Sequence, residues 1–300
     1  MLKPSQPYQI SLSEIIGLTY LVLILLAAGL GIFVYWGGLN IKFLGPILLG
    51  GLIFSVLYFL FIKKYHWRDS LRHLIYFAGI AWPLLLLAFN YVNLRVWKTP
   101  GITLLDNVLM NIDKSIFGGT NIHATLGQFN LPTLEFWLAF SYLAFFGFYV
   151  ITPLVLYDKD NQRATRDIVL SITLISYLSF IWYHFWPAAG PWRFFSGDYA
   201  TTLGTPISQF LTAIVQKYGN GVDALPSLHA GITAIFMYYL YKYNRRFFWW
   251  TLPILASVYP ATIYLRFHYV TDIIAGVVVA ALVLWLTPKL NDWWFDEKSS

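Results

Sequence analysis

The chain has 300 residues, 58% of them hydrophobic and 11% charged, against about 45–50% and 25% in soluble globular proteins, which excludes a soluble, secreted or disordered class and places the chain in lipid. It contains no cysteine, so disulfides, thiolate metal sites and cysteine nucleophiles are excluded as well. Lys and Arg number 20 against 14 Asp and Glu, a net charge of +6; in a membrane protein such an excess marks the cytoplasmic side and not a nucleic-acid partner.

A membrane-crossing helix needs about 20 mostly apolar residues. Eight stretches meet or approach that length, at roughly 15–36, 43–62, 74–96, 134–156, 168–185, 227–243, 247–265 and 270–286. The fold class is therefore all-α, a polytopic membrane helical bundle forming a single integral membrane domain over 1–300. The first stretch follows Lys3 but is too long for the apolar core of a signal peptide, and reads as a span. Gly45, Pro46 and Pro83 fall inside spans, where neighbouring helices can satisfy the backbone. The last three stretches are short and contain polar residues, so each is expected to tilt or to begin in a watery cleft. Three N-terminal spans thus occupy 1–96, a connection 97–133, the core spans 134–288 and a tail 289–300.

With both termini on one side, that side holds thirteen of the 20 basic residues, from Lys3 through Arg68, Arg163 and Arg245 to Lys298, and the other side seven. Basic residues favour the cytoplasmic face, so both termini are expected there. The opposite side carries the two long connections, 97–133 and 186–226, and with them the expected functional machinery.

Three polar segments meet on that non-cytoplasmic side. Asp223-Ala-Leu-Pro-Ser-Leu-His-Ala-Gly231 opens the sixth span, placing Ser227 and His229 in a first helical turn, where unpaired N–H groups and the dipole favour an anion such as phosphate. Tyr264-Leu-Arg-Phe-His-Tyr-Val-Thr-Asp272 joins the seventh span to the eighth. If this segment is helical, His268 and Asp272 share one face. The carboxylate would then fix the imidazole's tautomer and stabilise its positive form, as a histidine attacking phosphorus requires. Trp186-Pro-Ala-Ala-Gly-Pro-Trp-Arg193 ends the fifth span and supplies Arg193, whose guanidinium can grip phosphate oxygens bidentately. Arg266 is a second candidate phosphate ligand, with snorkelling to lipid headgroups as its plain alternative.

Ionisable groups within spans cost roughly 2.5–3.5 kcal/mol for Asp at a helix centre, so His229, His268 and Asp272 are read as functional. His66, His73, His123 and His184 are read as structural or exposed. Asp106, Asp113, Asp198 and Asn220 could recognise a polyol headgroup, but the sequence does not rank them above ordinary surface positions.

Pro226-Ser-Leu-His229 resembles the Pro-Ser-x-His block of the type 2 phosphatidic acid phosphatase superfamily, and His268-x-x-x-Asp272 resembles the end of its third block. Within that superfamily the chain is most similar to inositol phosphorylceramide synthases, in the patterns Pro-Ser-Leu-His-Ala-Gly and Tyr-Leu-x-x-His-Tyr-x-x-Asp. The similar region covers about residues 186–280.

The resemblance implies a six-helix phosphatase-like core and a phosphohistidine mechanism with no cofactor. His268 would attack phosphorus with Asp272 steadying the imidazolium, and His229 would act as general acid and then general base. Arg193, Ser227 and Arg266 would hold phosphate oxygens. No metal is implied, and the non-cytoplasmic motifs contain no clustered carboxylates of the kind that hold magnesium. Asp158 and Asp160 sit among basic residues on the cytoplasmic face and read as a solvated loop.

Phosphatases of this group carry a lysine seven residues before the arginine of the first block and an arginine six residues before the nucleophilic histidine; here those positions are Trp186 and Thr262. A site short of cations suits a singly charged phosphodiester better than a phosphomonoester. The resulting expectation is a lipid phosphotransferase that moves a phosphorylated headgroup, such as inositol phosphate, from a phospholipid donor to a lipid alcohol acceptor such as ceramide. A lipid phosphate phosphatase would use the same residues with water as acceptor. A non-enzymatic lipid or ion transporter would use the histidines as a proton relay.

Overall fold

The computed structural model describes residues 67–92, 94, 103–128, 131–158, 161–196 and 203–296, together with 12, 13, 15, 16 and 19. Apart from 15, 16 and 19, the first two expected spans lie outside the described residues, as do His66, Lys159, Asp160 and Asp198. Among the described residues there are ten helices and no strand. They are α1 (Trp67–Val92), α2 (Asp106–Ile116), α3 (Ile122–Gly127), α4 (Pro132–Val155), α5 (Arg163–Phe185), α6 (Pro191–Phe194), α7 (Pro206–Tyr218), α8 (Leu228–Tyr243), α9 (Arg245–Tyr264) and α10 (Val270–Asp296).

The six remaining expected spans correspond to α1, α4, α5, α8, α9 and α10. Three segments, Pro132–Val155, Arg163–Phe185 and Val270–Trp294, are long and apolar enough to cross a membrane. α5 begins before its apolar run and α10 outlasts its own, so residues 289–296, expected as a tail, are helical. A helix need not stop at the lipid surface when side chains bind its projecting end. Here Asn291 Nδ2 donates to Asp167 Oδ1 at 2.7 Å and Arg163 pairs with Asp292 at 2.7 Å.

α8 is apolar nearly all round, the pattern of a helix enclosed by others, and it packs against α5, α9 and α10. Ile232, Ile235 and Phe236 on it are fully buried against Ile168 and Ile172 of α5, Leu255 and Val258 of α9, and Ala280 and Val283 of α10. The outer faces are apolar too, with Trp249, Trp250, Val278 and Leu282 exposed, as suits a lipid surround. Glycines set the closest approach. A Cβ on Gly231 would lie 2.7 Å from the Gly276 carbonyl oxygen, and one on Gly276 would collide with the Ser227 carbonyl. α8 and α10 therefore touch backbone to backbone, as small residues permit in membrane bundles.

The long connections hold short helices, α2 and α3 in the first and α6 and α7 in the second. Glu135 at the start of α4 accepts the Thr205 N–H at 2.7 Å and the Ser208 hydroxyl, tying α7 to the bundle. Ala188 and Asp223 form an isolated parallel bridge that joins the two ends of the second connection.

Candidate active site

Ser227 is the N-cap of α8, its hydroxyl oxygen accepting the Ala230 N–H at 3.3 Å. That leaves its own O–H to donate, although the residue is fully buried. Its backbone N–H donates to the Asp272 carbonyl at 3.0 Å, so the start of α8 is bonded directly to the first turn of α10. His229 is the second residue of α8 and is enclosed by rings: Tyr142 stacks on it at 4.6 Å and Phe145 lies at 4.8 Å.

His268 and Asp272 do not share a helix face as expected. His268 stands in the turn before α10, and Asp272 is the third residue of that helix. The difference has a local cause: Asp272 Oδ2 accepts the Tyr269 N–H at 2.9 Å, the reciprocal half of an N-terminal capping arrangement. The two side chains still meet, with His268 Nδ1 3.5 Å from Asp272 Oδ2, but Nδ1 lies closer, at 3.0 Å, to the Ala224 carbonyl. A carbonyl only accepts, so the Nδ1 proton is fixed there and Nε2 presents a lone pair.

That lone pair faces His229 Nδ1 at 3.1 Å. With both rings neutral, His229 carries its proton on Nδ1 and donates it to His268 Nε2, and His229 Nε2 is left buried without a hydrogen-bond partner. The lone pair of His268 Nε2 and the proton of His229 Nδ1 are thus adjacent, with Nε2 of His229 enclosed among aromatic rings.

Arg193 is the third residue of the single turn α6. Its guanidinium lies against Gly221, where a Cβ would collide with it, and Nη2 is 3.5 Å from the Val215 carbonyl. Among the described residues no carboxylate lies within 4 Å of it. The α6 turn docks on the segment that carries His268: Trp192 N–H donates to the Arg266 carbonyl at 2.8 Å. Gly190 has φ +90°, and a Cβ there would sit 2.5 Å from the Phe267 carbonyl oxygen. Arg266 is buried with φ +64°, a left-handed conformation that costs a non-glycine residue roughly 1–3 kcal/mol and recurs at functional sites. Its backbone carbonyl thus holds the Arg193 turn.

The sequence reading missed several neighbours of these groups. The Ala224 carbonyl carries no side-chain signal, and the Tyr142 stack arises only when α4 packs on α8. Asp223 is held by the Gly221 and Val222 N–H groups and by the Tyr91 hydroxyl of α1, the last at 2.5 Å. His123, read as structural or exposed, is buried, with Nδ1 3.3 Å from the Ile263 carbonyl and Nε2 3.7 Å from Asp113.

The sequence pattern of the PAP2 superfamily matches residues 107–286, a segment that contains every site residue above except Tyr91. The phosphoinositol dihydroceramide synthase of Bacteroides thetaiotaomicron is 23% identical over 249 residues, covering 72% of this chain and 81% of that protein. No solved structure matches the chain.

Proposed function

Because the chain belongs to the PAP2 superfamily, a membrane family of enzymes that handle lipid phosphoesters, we propose that it is a lipid phosphotransferase which moves a phosphorylated headgroup from a phospholipid to a lipid alcohol. The observation that carries this reading is the 3.1 Å contact between His229 Nδ1 and His268 Nε2. In the first half-reaction His268 Nε2 attacks the donor phosphorus in line. The bond from phosphorus to the lipid oxygen breaks, and the His229 Nδ1 proton passes to that oxygen. In the second, His229 Nδ1 takes the proton of the acceptor hydroxyl, whose oxygen displaces His268 and restores both rings. The Ala224 carbonyl and Asp272 hold the His268 Nδ1 proton throughout and stabilise the imidazolium while phosphorus is attached.

Arg193, with no carboxylate within 4 Å among the described residues, is the principal cation for the phosphate oxygens, assisted by the Ser227 O–H, the amides at the start of α8 and Arg266. With Trp186 and Thr262 where cations would stand, the charge deficit favours a diester donor. The similarity to a phosphoinositol dihydroceramide synthase supports an inositol phosphate headgroup and a ceramide-type acceptor. The whole chain is read as one integral membrane domain with both termini cytoplasmic and the site on the opposite face.

The test uses purified protein in nanodiscs, with phosphatidylinositol and ceramide in one reaction and phosphatidic acid in another. Inositol phosphorylceramide should form in the first, and ceramide should suppress hydrolysis, because a positioned acceptor gains a large effective concentration over water. Free phosphate from phosphatidic acid, with nothing transferred to ceramide, would establish a phosphatase instead.

A further inference from the structure

α2 contributes nothing to the chemistry above, yet two of its side chains are among the most enclosed carboxylates described, Asp106 at 0% and Asp113 at 1% exposure. Seven residues apart, they lie about two turns apart on one face of the helix. Both oxygens of Asp106 are engaged: Oδ2 accepts the Ala189 N–H at 2.8 Å, and Oδ1 accepts the Gly190 N–H at 2.9 Å and the Tyr269 hydroxyl at 2.8 Å. Asp113 Oδ1 accepts the Thr271 N–H at 2.9 Å and the Thr271 hydroxyl at 2.6 Å, and Oδ2 accepts the Val270 N–H at 2.7 Å. The Asp113 carboxylate therefore satisfies two of the open N-terminal amides of α10, those of Val270 and Thr271, and faces the positive end of its dipole.

The six donors fall into two groups. Ala189 and Gly190 lead into the turn that carries Arg193, whereas Tyr269, Val270 and Thr271 follow His268 directly. One rigid helix thus grips both the phosphate-holding turn and the nucleophile's turn, and Asp106 holds a donor from each.

We propose that Asp106 and Asp113 are positioning residues for the transfer, through which α2 sets the separation of the Arg193 guanidinium from His268 Nε2. This rests on the reading of the site as a phosphohistidine enzyme. In-line attack is sensitive to such spacing, a displacement of 1 Å being able to cost about 10²-fold in rate. Removal of either carboxylate takes the charge-assisted bonds from these amides, so both turns would relax.

The test compares wild type, D106N, D113N and Y269F in nanodiscs, with active sites counted by trapped phosphohistidine, turnover expressed per active site, donor KM, and thermal midpoint. D106N is expected to lose about 10²-fold in kcat per active site with a small change in KM, and Y269F, which removes one bond and no charge, several-fold. Coupling supplies the discriminating readout, because residues sharing a network are not additive. R193A should cost at least tenfold less in the D106N background than in wild type.

Lowered thermal midpoints with wild-type kcat per remaining site, or fully multiplicative losses for D106N and R193A, would overturn the proposal by reducing the two carboxylates to fold stability. Should D106N fail to fold, Y269F decides, and an unchanged kcat per site there overturns it. A wild-type protein that forms no phosphohistidine fails before any variant is compared, and removes the phosphohistidine reading together with this one.

Discussion

At the scale of single residues, neighbours assign work to each ring nitrogen. Because the Ala224 carbonyl claims the His268 Nδ1 proton, the proposed mechanism makes Nε2 the nucleophile, and His268→Ala is expected to abolish turnover and phosphohistidine formation alike. His229→Ala removes only the proton carrier, and turnover should fall about 10²–10⁴-fold, with the intermediate forming slowly and persisting once formed. Rapid quench with radiolabelled donor separates the two outcomes. Asp113 yields a pH prediction. Burial alone would raise its pKa, but hydrogen bonds from the Thr271 hydroxyl and from the Thr271 and Val270 N–H groups, with His123 Nε2 3.7 Å away, outweigh burial and hold it below its usual value. A carboxyl with a lower pKa in the folded state stabilises the fold above its unfolded pKa, near 3.9, and that contribution disappears as pH falls through the folded value. The thermal midpoint of wild type should therefore drop on acidification below about pH 4. Asp113→Asn should start lower at neutral pH and drop less, as scanning calorimetry across pH would register.

At the scale of elements, the packing of α8 on α10 decides whether the two catalytic turns meet. A side chain at position 276 would push on the Ser227 carbonyl, so Gly276→Leu is expected to lose roughly 1–3 kcal/mol of stability through overpacking and to lower turnover further by separating His229 from His268. Urea titration and turnover on one preparation measure both. The six longer helices were legible because apolar runs such as Ile168 to Phe185 report burial or lipid contact directly. His229, His268 and Asp272 were legible because rare polar residues interrupt such runs at helix starts. What escaped was the scaffolding between them. α2 is amphipathic over only 11 residues, and inside a long polar connection its aspartates read as surface charge, since their partners are backbone amides more than 80 positions away in sequence. The turn before α10 escaped for a related reason: a four-residue spacing fits a helix face, and nothing in the sequence shows that Asp272 caps Tyr269 instead.

At the scale of the whole molecule, sidedness can be read from chemistry that the chain lacks. With no native cysteine, Asn161→Cys in the exposed connection between α5 and α4 and Gln209→Cys on the exposed face of α7 are ready single-site probes. A membrane-impermeant maleimide should label the first from the cytoplasmic side only and the second from the opposite side only. In the proposed mechanism the 3.1 Å contact between the two imidazoles competes with the donor phosphate for His268 Nε2. Donor binding must break that bond, so apparent affinity is lowered by its free energy, about 0.5–1.5 kcal/mol for a typical hydrogen bond, or roughly two- to tenfold. Removing the self-contact should therefore separate binding from catalysis in opposite directions. His229→Ala is expected to hold a non-cleavable phosphonate analogue of the donor more tightly than wild type, by calorimetric titration, while turning over far less.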